Sequence, residues 1–165
     1  MLQIISKSGS HNFAILRDGR EVATLVRKGW VSPTIKAKVN EDDISFVSTS
    51  VFGKNFDILK NTRKCGDITC HWTGRVTISL NRSDGEGKDS FTLKTTDWFG
   101  GNYELRDYAS QRLFGIKGKI SWSNWKTNYT VTEFEHGYIE EAADELLVYC
   151  AYALKIHANQ SSGIY

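Results

Sequence analysis

Leu146-Leu-Val-Tyr-Cys-Ala-Tyr-Ala-Leu-Lys-Ile156 is the stretch that decides the fold. Apart from Lys155, this run is apolar at nearly every angle of a helical projection. A helix on a protein surface keeps a polar stripe on its solvent side, and this one has almost none. The segment before it reads as a helix start. Gly137 breaks the chain, and Glu140, Glu141, Asp144 and Glu145 fill the first turns, where the positive dipole end favours anions. Asn159, Gln160 and a Ser-Ser-Gly tail are expected to end it. Eleven residues are far fewer than the roughly 20 needed to cross a bilayer. The helix must therefore be surrounded by protein.

Working outward, the rest of the chain supplies the enclosure. Thr34-Ile-Lys-Ala-Lys-Val39 alternates strictly, with Ile35, Ala37 and Val39 on one face and Lys36 and Lys38 on the other. Phe13–Leu16 and Glu21–Val26 flank a polar Asp18-Gly19 turn, which reads as a hairpin. Further short runs begin near Leu2, Ile44, Asn55, Asp67, Arg75, Ser90, Asn102, Arg112 and Asn128. Arg112–Lys117 and Lys119–Trp122 read as one strand bent at Gly118, which brings the count to about twelve. An open sheet of that size would expose long edges, and closure removes them. The expectation is a mainly β protein, a closed antiparallel barrel around a hydrophobic C-terminal helix. At 165 residues it is one domain, with 159–165 as a tail. Leu16-Arg-Asp18 and Leu105-Arg-Asp107 both precede a turn and a second strand, a weak internal echo that unrelated hairpins would also give.

Composition narrows the class further. Apolar residues at 40% and a net charge of +2 exclude intrinsic disorder and a strongly basic nucleic-acid binder. Residues 1–40 hold seven basic and two acidic side chains, whereas 121–165 hold two basic and six acidic ones. Uneven solvated faces would produce this, and so would a dipolar molecule with a basic face for an anionic surface. Three cysteines, Cys65, Cys70 and Cys150, do not make a disulfide framework. The first residues lack a charged, then apolar, leader pattern. A cytoplasmic protein with reduced thiols is expected.

The order of elements resembles the tubby C-terminal-like barrel, the fold of tubby proteins, LURP-one-related proteins and phospholipid scramblases. The resemblance rests on Phe91-Thr-Leu-Lys, Tyr103-Glu-Leu-Arg-Asp, Leu113-Phe-Gly-Ile-Lys, then Trp122 or Trp125, and Tyr129-Thr-Val. The run Leu146 to Ile156 resembles the helix that fills the barrel in that superfamily. The resemblance implies twelve strands around a central hydrophobic helix, a mostly non-enzymatic role and binding of lipid headgroups by basic side chains. The superfamily's headgroup site does not map residue by residue onto this chain. Neither the cysteine-rich nor the calcium-binding segment of scramblases is present.

Candidate chemistry is sparse. Cys65-x4-Cys70-His71 offers three metal ligands where a structural zinc site wants four, and adjacent strand residues point to opposite faces. No metal or cofactor is expected. Four scattered histidines accompany no nucleophile motif, and Cys150 reads as a small buried hydrophobe. Glu133 and Glu135 would share a strand face, but a solvated face explains them. The five tryptophans are read as core and rim residues rather than a carbohydrate platform. Gly85-Glu-Gly-Lys88 lacks the phosphate-loop spacing, and Asp84-Gly85 is a turn. No catalytic residue is assigned.

The best polar cluster is Arg27, Lys28, Lys36 and Lys38 with Trp30 between them. Cations beside an indole suit an anionic membrane interface. Lysines that protect an exposed strand edge would look the same. The expected function is a non-enzymatic binding or scaffold domain, cytoplasmic and peripheral to a membrane, that associates with anionic phospholipid. Alternatives are a protein-interaction module without a lipid role, and a carrier of an apolar ligand, which the lumen-filling helix disfavours.

Overall fold

The computed structural model describes residues 1–7, 12–28, 34–50, 53–97, 101–121, 126–133 and 140–161. The strands are β1 (Leu2–Ser6), β2 (Phe13–Arg17), β3 (Arg20–Lys28), β4 (Thr34–Val39), β5 (Asp42–Ser48) and β6 (Asn55–Lys60). They continue with β7 (Arg63–Cys70), β8 (Val76–Asn81), β9 (Lys88–Thr95), β10 (Asn102–Arg106), β11 (Arg112–Ser121) and β12 (Lys126–Glu133). A single helix, α1 (Glu140–Ser161), follows them. Each strand pairs antiparallel with its sequence neighbours, and β1 pairs with β12 to close the barrel.

Closure gives every strand two partners, so β3 and β4 present no edge to protect. That removes edge protection as the reason for Lys36 and Lys38. The alternation read from the sequence holds: Ile35, Ala37 and Val39 are buried and Lys36 and Lys38 exposed. The Asp18-Gly19 turn joins β2 to β3 with both residues at positive φ, 50° and 78°. A two-residue loop of that kind matches the twist of the strands it joins.

The run that decided the fold is buried along its length. Leu147, Val148, Tyr149, Cys150, Ala151 and Ala153 are inaccessible to solvent, and they share one core cluster with the inward residues of the strands. The Tyr152 ring stacks on Phe46 at 4.0 Å and meets Phe56 edge-on at 5.4 Å. Apolar side chains on all sides of α1 are satisfied because strands lie on all sides. The helix runs through Ser161, beyond the expected stop at Asn159. Asn is only a mildly poor helix former and Gln a good one, so neither breaks a helix that packing has already nucleated.

As the sequence reads, one strand passes through Gly118: β11 is a ten-residue strand that ends at Ser121. The glycine is needed for space: Gly118 N–H donates to Gly101 O at 2.7 Å, and a Cβ would lie 2.6 Å from that same oxygen.

Strand alternation divides the connections between two ends. The entry end, where α1 begins, holds the links β2–β3, β4–β5, β6–β7, β8–β9, β10–β11 and β12–α1. The exit end, where α1 finishes, holds β1–β2, β3–β4, β5–β6, β7–β8, β9–β10 and β11–β12.

Candidate functional site

The connections at the two ends differ in charge. Exit-end connections carry Lys7, Lys54 and Arg75 against one acid, Asp97. Entry-end connections carry Asp18, Glu41, Asp84, Glu86 and Asp107 against one base, Arg82, among the described residues. The connections at the two ends thus differ in charge, whereas the basic residues Arg17 and Arg20 of the first forty stand at the entry end. The chain has five tryptophans, Trp30, Trp72, Trp98, Trp122 and Trp125, and four of them lie outside the described residues. Trp72 is the described one, and it is 90% exposed.

A short rigid turn presents Trp72. His71 N–H donates to Arg75 O at 2.8 Å, and Gly74 N–H returns to His71 O at 3.0 Å. Gly74 has φ 81°, a conformation that favours glycine. His157 on α1 presses against this turn, its Nε2 only 3.3 Å from where a Gly74 Cβ would stand. The His157 ring packs edge-on against Tyr103, whose hydroxyl lies 3.3 Å from Nδ1. Burial holds the imidazole below its usual value. His71 is anchored too, with Nε2 2.9 Å from Thr77 Oγ1. The next connection is equally built: Ser50 Oγ accepts from Lys54 N–H at 2.9 Å and Asn55 N–H at 3.1 Å. Lys54 and Arg75 are both exposed.

The cationic cluster read from the sequence is divided by strand register. Lys36 and Lys38 lie on the outer face of β4, opposite Val26 and Thr24 of β3. Arg27 lies opposite buried Ile35, in the inward row with Ala23 and Leu25, and becomes exposed where β3 ends at the exit mouth. Its N–H donates to Asn12 Oδ1 at 3.1 Å. Lys28 is in register with Thr34, while its side chain and the whole of Trp30 lie outside the described residues. Glu135 lies outside them as well.

Lys155 also belongs to the exit mouth. It is the one charged side chain in the core among the described residues, 8% exposed, with Nζ 5.9 Å from the centre of the Phe13 ring. Burial, helped by the nearby Arg27 charge, pulls its amine down to about 8.

The entry end is closed by ion pairs that hold α1. Asp144 accepts from Arg17 at 2.8 Å, and Lys60 bridges Glu145 at 2.8 Å and Asp42 at 2.9 Å. Glu145 also accepts from the Tyr149 hydroxyl. The hydrogen bond to Glu145 raises the Lys60 amine above its ordinary value. Burial raises all three thiols, Cys70 to about 11. All three cysteines are free, and Cys150 is fully buried as a small hydrophobe. Among the described residues no three His, Cys, Asp or Glu side chains are grouped to hold a metal. None of the described helices is long and apolar enough to cross a membrane.

Fold and site together define a helix-filled antiparallel barrel whose exit-end connections are basic and carry Trp72 and whose entry-end connections are acidic. Comparison with protein-family models, curated proteins and solved structures returns no significant match.

Proposed function

We propose that this chain is a non-catalytic binding module that docks its exit end onto anionic phospholipid, working in the cytoplasm at the periphery of a membrane. The observation that carries the reading is Trp72, 90% exposed on a braced turn and flanked by exposed Lys54 and Arg75. An indole is at home at the level of the headgroups. Each cation near such a surface adds roughly 1 kcal/mol. The filled lumen favours a ligand held on the outside, because α1 side chains occupy the space an apolar cargo would need. The same reading takes the chain as a tubby-like superfamily member, supported by its strand count and central helix.

Co-sedimentation with neutral and anionic vesicles, at low and high salt, tests this. Binding should require anionic lipid and weaken with salt. The double variant Lys54→Ala/Arg75→Ala should bind about thirtyfold more weakly, from about 2 kcal/mol of lost attraction. Lys36→Ala/Lys38→Ala, on the outer face, should bind nearly as the wild type does. Absence of binding to any vesicle would sink the lipid role and leave a protein-interaction module.

A further inference from the structure

On the reading that Trp72 docks to anionic lipid, we infer that His157 regulates that docking: its neutral imidazole, packed between Tyr103 and Gly74, fixes the turn that presents Trp72, and protonation of the ring releases the turn. Contacts between three elements carry this. His157 of α1 is half-buried near the exit end. Its ring meets the Tyr103 ring of β10 edge-on at 5.4 Å, and Nδ1 lies 3.3 Å from the Tyr103 hydroxyl. Its Nε2 lies 3.3 Å from where a Gly74 Cβ would stand, so the backbone of the 71–75 turn rests directly on the imidazole. Gly74 N–H donates to His71 O at 3.0 Å and closes that turn around Trp72.

A neutral imidazole packs well against an aromatic edge and a backbone, whereas an imidazolium is penalised wherever burial removes water. Burial holds His157 below the ordinary 6.5, in agreement with that packing. Above its midpoint the ring is neutral and the turn is held. Below it a charge enters the contact, and ring and turn move apart to let water reach the cation. Among the described residues, the titratable and charged groups around the contact are Tyr103, Tyr129 of β12 edge-on to Tyr103 at 6.3 Å, Asp97, whose charge acts on Tyr103, and His71 and Arg75 of the turn. Burial raises both phenols, so neither ionises in this range. His71 faces the outer side of the sheet, with Nε2 2.9 Å from Thr77 Oγ1, and Arg75 is exposed. Lys155, two residues earlier on α1, stands over Phe13 of β2 at 5.9 Å, with the Arg27 charge acting on it.

The first arm of the test needs no lipid. Proton–nitrogen NMR of the intact protein follows the His157 ring and the Trp72 indole N–H from pH 7.5 downward, the indole assigned with Trp72→Phe. The indole signal should move with the His157 midpoint, keep doing so in His71→Gln and stay still in His157→Gln. An indole that does not respond to His157, or that follows His71, would overturn the coupling, and the wild-type titration alone shows this even if a variant folds poorly. The second arm uses vesicles of phosphatidylglycerol and phosphatidylcholine, whose charge is constant across this range. Above the His157 midpoint Trp72→Ala should weaken binding about tenfold, through lost burial of the indole. Below it the same change should cost about twofold or less, because the turn no longer fixes the indole. Comparing the two proteins at one pH cancels the attraction that the extra cation adds. In a His157→Gln background the tenfold effect should persist at the lower pH. An effect of Trp72→Ala that is the same on both sides of the midpoint would overturn the regulation. Coupling in the first arm with no vesicle binding at any pH would sink the lipid role while leaving the His157 contact in control of the turn.

Discussion

Replacing Lys155 by Met should stabilise the protein at neutral pH, and the gain should vanish at high pH. In the folded protein the amine gives up its proton near pH 8, against 10.5 for the ordinary group. Between those values the unfolded chain holds more protons than the folded one, so wild-type stability rises with pH across the window. Below it both states are protonated, and the folded state carries the cost that the lowered value expresses. At 1.36 kcal/mol per pH unit that cost is about 3 kcal/mol. Attraction to the Phe13 ring at 5.9 Å returns about 1 kcal/mol of it. Methionine keeps the length of the side chain and removes the charge, so a net gain of about 2 kcal/mol is expected at pH 7. For a chain of this size that is a rise in Tm of roughly 4–8 °C. Urea unfolding of both proteins at pH 7 and at pH 10.5 measures it. A Met variant less stable than the wild type at pH 7 would refute the reasoning, and so would a difference that does not change with pH.

Other consequences of the structure can be checked in the same way. Gly118→Ala drives a Cβ against the Gly101 carbonyl and should cost about 1–3 kcal/mol in denaturant unfolding. Leu147→Ala, at a fully buried position of α1, should cost about 2–5 kcal/mol, because the surrounding barrel cannot collapse onto the gap. Arg17→Met removes a half-buried partner of Asp144 and should cost about 1 kcal/mol, an effect that shrinks in high salt if the pair is as solvated as its exposure indicates. With a thiol reagent the folded protein should react slowly at all three cysteines, half-buried Cys65 first, and unfolding should expose them together. Rapid modification of Cys150 in the folded protein would contradict the packing of α1.

Much of the architecture is legible in local sequence. The apolar run at Leu146–Ile156 leaves no face for solvent, and the alternation of Thr34–Val39 names its own buried side. Both signals are periodicities of one element, and burial answers them directly. The site is legible only in part, because it is assembled by topology. Arg27 and Lys36 are near in sequence, yet antiparallel register sets them on opposite faces of the sheet. Lys54 and Arg75 are far apart in sequence, yet every second connection of an up-and-down barrel returns to the same end. Trp72 reads as the end of a strand that begins at Asp67. The strand stops at Cys70, and the signal that could have placed the indole is Thr73-Gly74, a turn whose glycine takes a positive φ. Register shifts lie at Ile15/Leu16 and Leu105/Arg106 beside the two Leu-Arg-Asp segments, but also at Ile58/Leu59 in a hairpin without one, so they do not set the echo apart.

The measurement that tests the account most directly is hydrogen exchange on the protein bound to anionic vesicles, read segment by segment. Docking through the basic end predicts slowed exchange in peptides spanning 71–75 and Lys54, with 82–87 and 107–111 at the acidic end unchanged. Protection centred on the outer face of β4 around Lys36 and Lys38, or on the acidic end, would contradict it.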